Sequence, residues 1–213
     1  MKTDGNGADR LVHWVARHWL ALFSAAWGLY VIIPLLAPLF MHWGWVGPAR
    51  YIYAAYSYAC HQLPDHSYFL FGHSVVPSLP DLESMGLPPR LGLLEQRQFI
   101  GSAEAGYKVA ICERDVAIYG SIFVAGLIFA LFRRARGQIG WKLFVILTIP
   151  MAVDGGAQLL NLHQSNWWLR TVTGALFGVA SVLFAYPIVD EAMQEIAGTP
   201  TQIKSISRNK NST

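Results

Sequence analysis

Cys60-His61-Gln62 sets a thiol, an imidazole and an amide side by side in a chain of 213 residues that has two cysteines. The second, Cys112, stands just ahead of the apolar run from Val116 to Phe132, with Asp115 one helical turn further on. Thiolate, imidazole and carboxylate are ligands of zinc and other transition metals. Cys60, His61, Cys112 and Asp115 therefore form a candidate metal set, with His66 a further nitrogen nearby. The spacing matches no standard zinc finger, and two other readings stay open. Cys60 and Cys112 can form a disulfide that closes the loop between them, if they face an oxidising compartment. They can also act as a redox dithiol against a membrane quinone, although no CxxC pair is present.

A second polar group lies in apolar surroundings. Asp154, Gln158 and Asn161 follow one another at helical spacing, which places them on one helix face, and Asn166 precedes Arg170 by one turn. Charges in membrane-length segments are costly unless paired, so the sequence predicts an Asp154–Arg170 ion pair. With Gln62 these residues define a ligand pocket. If it is catalytic, Asp154 or His61 carries the proton and Arg170 clamps an anion. The plainer alternative is that the pair only locks two helices together. Gly174 and Gly178 make a small-xxx-small face for close helix approach. Tyr51, Tyr53, Tyr56 and Tyr58 read as interfacial anchors, and His42, His73 and His163 as surface residues.

The elements that must carry these residues are membrane spans. The chain is 54% hydrophobic and 14% charged, against about 25% charged in a soluble domain. Trp19 to Phe40, Val116 to Phe132, Leu143 to about Asn161 and Thr171 to Val189 are each apolar and close to the length that crosses a hydrocarbon core of about 30 Å. The first is longer than the h-region of a signal peptide and lacks an obvious cleavage site. Pro34 and Pro38 are expected to kink that span or end its regular hydrogen bonding. Tyr51 to His61 is too short to span and reads as interfacial or re-entrant. The expected fold is an all-α integral membrane bundle of four transmembrane helices plus this short helix.

Arg133, Arg134, Arg136 and Lys142 fill the connection between the second and third spans, Lys2, Arg10 and Arg17 precede the first, and Lys204, Arg208 and Lys210 follow the last. Alternating crossings put all three basic groups on one side, which the positive-inside rule assigns to the cytoplasm. The organisation that follows is a cytoplasmic segment 1–18, one transmembrane domain 19–189 with a long outer loop at about 62–112, and a cytoplasmic, largely disordered tail 190–213. A short amphipathic helix around Leu91 to Phe99 is expected in the loop. The net charge of +3 and the lack of a basic patch interleaved with aromatics argue against nucleic acid as a partner.

Cys60-His61-Gln62, Pro64, Ser67 and Gly72, then Cys112-x-Arg114 and Tyr119-Gly120, then Asp154-Gly155, Gln158, Asn166, Leu169-Arg170 and Thr173-Gly174 together resemble a family of small prokaryotic polytopic membrane proteins known as a domain of unknown function (DUF2085-like). The resemblance runs from about Tyr51 to Gly178. Members typically read C-H-Q-x-P-x-R-S and then C-x-R-C; here His66 stands where the arginine is expected and Asp115 where a third cysteine is expected. The resemblance implies fold and topology and brings no activity. A family set of three cysteines and a histidine would resemble a metal site, in which Asp115 keeps the ligand count with a harder donor.

The leading functional expectation is a multi-pass cell-membrane protein, both termini cytoplasmic, with an outer-face pocket for a ligand or metal. Zinc or another transition metal is the cofactor favoured over quinone. The alternatives are a non-catalytic accessory subunit of a larger membrane complex, which uses its aromatic flank and the Gly174/Gly178 face for contacts, a quinone-linked thiol redox protein, and a transporter that oligomerises. The lipid bilayer is the one partner common to all of these, and the sequence does not decide whether the chain is an enzyme.

Overall fold

Among the residues that the computed structural model describes (7–133, 137–160, 162 and 165–198), four helices are long and apolar enough to cross a membrane. They are α1 (Gly7–His42), α5 (Glu113–Leu131), α6 (Trp141–Leu159) and α7 (Trp167–Ile196). The segment between α1 and α5 holds α2 (Val46–Tyr56), a 3-10 turn (Pro64–His66), β1 (Phe69–Leu70), α3 (Leu79–Ser84), α4 (Leu93–Gln96), β2 (Gly101–Ser102) and β3 (Gly106–Lys108). The all-α bundle with a short extra helix is therefore present, but that helix runs over Val46–Tyr56 and not from Tyr51 to His61, so Cys60 and His61 lie in the loop after it. The bundle's long loop, expected to hold only a short helix, also carries a three-stranded antiparallel sheet in the order β1-β3-β2.

Helix α5 packs between α1 and α7, and α6 lies outside against α7. The core joins Trp19 and Leu20 of α1, Ile118, Ile122, Ala125 and Phe129 of α5, and Val182 and Tyr186 of α7. Asp154 is the one buried residue of α6 among those described; Val145, Ile146, Ile149 and Val153 face outward, as a lipid-facing helix requires. Gly174 and Gly178 lie against α5. A Cβ on Gly174 would stand 3.1 Å from the Ala117 Cβ, and one on Gly178 would stand 2.5 Å from the Ile118 carbonyl oxygen. That small-residue face is used inside the chain, not for contact with a partner.

Prolines inside the helices dock the connecting segments. Pro34 lies within α1 and frees the Tyr30 carbonyl, which accepts from the Tyr56 hydroxyl at 3.0 Å. Pro38 frees the Pro34 carbonyl, which accepts from the Ala110 amide at 3.3 Å. Pro187 in α7 does the same for Leu183, whose carbonyl accepts from the Ile139 amide at 3.4 Å. The α1 helix continues unbroken through both of its prolines, because the freed carbonyls find partners elsewhere.

The tyrosine ladder divides. Tyr51 and Tyr58 are exposed, as interfacial anchors should be, whereas Tyr53 is buried and its hydroxyl donates to the Lys108 carbonyl at 2.5 Å. At the far end of the bundle Asp190 accepts from Trp19 Nε1 at 3.1 Å, Arg133 Nε at 2.7 Å and Gln194 Nε2 at 2.7 Å. Those contacts join α1, α7 and the end of α5. Helices α1 and α7 also run beyond the apolar segments read from the sequence, from Gly7 and to Ile196. Lys2, Arg134, Arg136, His163, Lys204, Arg208 and Lys210 lie outside the described residues.

Lys108 was invisible to sequence reading as anything but a loop cation. It is fully buried, and its Nζ donates to the Gln62 carbonyl at 2.8 Å and the Arg97 carbonyl at 2.6 Å. Burial pushes its pKa down from 10.5 to about 7. The unfolded chain keeps this proton to higher pH than the folded one, so this group makes stability rise between about pH 7 and 10.5. The expected result is that wild type gains melting temperature from pH 6.5 to 8.5 relative to Lys108→Met, measured in one detergent. Equal pH slopes for the two proteins would refute this.

Candidate functional site

The loop after α2 brings Cys60 to the site. The Cys60 amide still bonds the Tyr56 carbonyl at 2.9 Å, and Gln62 then takes a left-handed backbone with φ 52°. Its side chain holds that conformation: Nε2 donates to the Tyr53 and Ala110 carbonyls, each at 2.9 Å. This amide staples the end of α2 to the segment that leads into α5. Gln62 is 3% exposed and faces this staple, so it is a positioning residue and not the pocket residue expected.

Cys112 occupies the N-cap position of α5 without a side-chain capping bond, and its backbone amide donates to Cys60 Sγ at 3.1 Å. Both cysteines are buried and free, so the disulfide reading is not realised in this structure. One donor atom from each of Cys60, His61 and Cys112 lies within 4.8 Å of the other two. A tetrahedral centre with metal–sulfur bonds of about 2.3 Å sets its donors about 3.8 Å apart, so the three atoms fit such a centre after small side-chain shifts. Asp115 is not in this group. A helix N-terminus favours a thiolate, yet the Cys112 thiol is held well above its ordinary pKa, first by its hydrogen bond with Cys60 and then by burial.

The expected Asp154–Arg170 pair is not formed. Arg170 Nη1 donates to Glu113 Oε2 at 2.9 Å, and its Nη2 to the Ser165 carbonyl. Asp154 Oδ2 instead takes Arg114 Nη2 at 2.6 Å. Glu113 and Arg114 are neighbours on α5, and successive helical residues point about 100° apart. One side chain reaches α7 and the other α6. The two acidic–basic pairs therefore both run through α5, and neither joins α6 to α7.

Arg114 Nη2 also donates to Gln158 Oε1 at 3.2 Å. The Gln158 amide group thus faces His66 Nε2, at 3.2 Å, which fixes His66 as an acceptor at Nε2 and a donor at Nδ1. His66 Nδ1 lies 3.6 Å from Asp65 Oδ1. Both of these atoms are buried and have no hydrogen-bond partner among the described residues. Burial, then Arg170, His61 and Arg114, pushes the His66 pKa down to about 3; burial pushes Asp65 up. His61 is the exposed member of the group with Cys60 and Cys112, and its Nδ1 accepts from the Leu63 amide at 3.1 Å. A metal at His61 would cost that bond either way, by replacing the amide at Nδ1 or by moving the ring proton from Nε2 to Nδ1.

These groups line one pocket of about 190 Å³. Cys60, His61 and Cys112 line it together with Ala59, His66, Arg114, Asp115, Gln158 and Arg170. Of the residues expected from sequence, Asp154 stands behind Arg114, outside the lining. Asn166 is the N-cap of α7 and accepts from the Leu169 amide at 3.0 Å, so it is spent on capping. Asn161 lies outside the described residues. Glu113 was missed outright, and Arg114 was named only within a motif. The signal that finds both is their place in the first turn of a span, where a charge needs a counter-charge.

Residues 96–184 match the model of a family described as a predicted membrane protein, DUF2085. The chain is similar to that family over this segment. The DUF2085-like segment takes in Cys112, the α5 charges, Asp154, Gln158 and Arg170, and it begins after Cys60, His61 and His66. A protein of Methanocaldococcus jannaschii described as uncharacterised is 29% identical over 171 residues, which cover 76% of this chain and 87% of the relative. No solved structure matches.

Proposed function

We propose that this membrane protein binds a soft transition metal ion, zinc foremost, at the end of its bundle through Cys60, Cys112 and His61. The observation that carries this is the convergence of two buried free thiols and an imidazole within 4.8 Å, a donor set that favours soft and borderline metals. Binding deprotonates both thiols, which removes the hydrogen bond that now holds the Cys112 proton. Two thiolates would balance the charge of a divalent ion, and the bound ion would tie the loop after α2 to the start of α5.

The pocket is assigned to the non-cytoplasmic end. Arg10 and Arg17 near the start of α1, Arg133 after α5 and Lys142 at the start of α6 belong to the opposite end of the bundle, in accord with the positive-inside rule. The test is metal analysis of the full chain purified in detergent under reducing conditions. About one metal ion per chain is expected, retained through desalting, and lost in Cys60→Ser and Cys112→Ser. Chelation should expose two titratable thiols in the wild type. A metal-free protein that takes up neither Zn²⁺ nor Co²⁺ would refute the reading.

A further inference from the structure

Three donors leave a fourth position open, and the pocket holds two groups that can fill it, Asp115 and His66. We propose that His66 is the fourth ligand, through Nε2, with Asp65 as the carboxylate that orients it. The proposal rests on the metal reading above.

His66 has beside its second ring nitrogen the kind of group that supports a metal-ligating histidine. Such histidines place the second ring nitrogen against a carboxylate or carbonyl, which fixes the tautomer and raises the basicity of the ligating nitrogen. Here Gln158 already selects the tautomer with a free Nε2 lone pair and a proton on Nδ1. That Nδ1 and Asp65 Oδ1 are 3.6 Å apart, and each is buried without a hydrogen bond among the described residues. Two buried orphans of opposite polarity facing one another are costly, and a small turn of the ring closes them into a hydrogen bond.

The His66 ring stands edge-on to the His61 ring, with centroids 5.5 Å apart. The movement needed is a side-chain rotation in which Nε2 leaves the Gln158 amide for the ion. Gln158 keeps its bond to Arg114 when its amide gives up Nε2. His66 and Asp115 both lie outside the converging set, and only His66 has an orphaned buried carboxylate oxygen facing its second ring nitrogen. The site becomes a closed centre of two thiolates and two imidazoles.

X-ray absorption at the zinc edge of Zn²⁺-loaded protein, with zinc affinity by chelator competition, tests this. Two sulfur and two imidazole ligands are expected in the wild type, with about one imidazole lost in His66→Ala and affinity reduced. Asp65→Asn should weaken zinc roughly 10–100-fold while both imidazoles stay in place. Gln158→Leu, which removes the competing amide, should bind zinc at least as tightly as wild type. Wild-type protein that binds zinc with a single imidazole overturns the assignment of His66 and leaves the three-ligand site standing. No zinc binding at all overturns both. If His66→Ala fails to fold, the wild-type imidazole count and the Asp65→Asn affinity still decide.

Discussion

Arg170→Leu is expected to cost about 3–5 kcal/mol of stability, the range for leaving one partner of a buried ion pair without the other. The side chain of Glu113 is 2% exposed and that of Arg170 8%, so the carboxylate left behind is poorly solvated. The same change also frees the Ser165 carbonyl, which loses its bond from Arg170 Nη2. Glu113→Leu should be comparably destabilising. The double variant should recover most of the loss, because two apolar side chains of similar size remove the desolvation penalty together with the attraction. Denaturant or thermal unfolding in detergent gives the four corners of the cycle. A parallel cycle on Arg114 and Asp154 should show strong coupling as well, whereas Arg170 and Asp154 should be nearly additive. Strong coupling between Arg170 and Asp154 would show that the two pairs described here are wrongly matched.

Gly178→Ala should destabilise by about 3 kcal/mol, the upper end of the usual cost of overpacking. The added carbon meets the Ile118 carbonyl oxygen at 2.5 Å, and a backbone atom inside a packed helix cannot turn aside as a side chain does. The helices α5 and α7 must separate, which loosens the frame that carries Cys112, Glu113 and Arg114 on one side and Arg170 on the other. Gly174→Ala should cost less, since its nearest neighbours stand at 3.1 Å. Gly156→Ala is the control. Nothing lies within 4 Å of a Cβ there, and alanine is favoured over glycine in a helix by up to about 1 kcal/mol, so that variant should be neutral or more stable. Equal effects at positions 156 and 178 would refute the close α5–α7 approach.

Much of this chain could be read from composition and spacing. Four uncharged or nearly uncharged runs of membrane length have few structural outcomes, because a backbone in hydrocarbon must satisfy its own hydrogen bonds. Cys60, His61 and Cys112 were recognisable as a group because such residues are rare here and chemically specific. Their convergence across a separation of 52 positions was not recognisable, because it depends on the Gln62 staple and on the docking of the segment between α1 and α5 to carbonyls freed by Pro34 and Pro38. Sequence reading also missed the small sheet, whose strands have only two or three residues each, too few to show an alternating pattern.

The sequence by itself determined the solvent: apolar runs of this length select a bilayer and a helical bundle. It also determined which side chains are chemically able to hold a metal. Only the tertiary structure decided the partners. The choice of Glu113 over Asp154 for Arg170, and of Arg114 for Asp154, depends on the rotation of α5 between its neighbours, which is set by the close contact of Gly174 and Gly178 with that helix. Hydropathy is a property of each residue and survives in a one-dimensional reading. An ion pair is a property of distance and direction, and those exist only once the helices have packed.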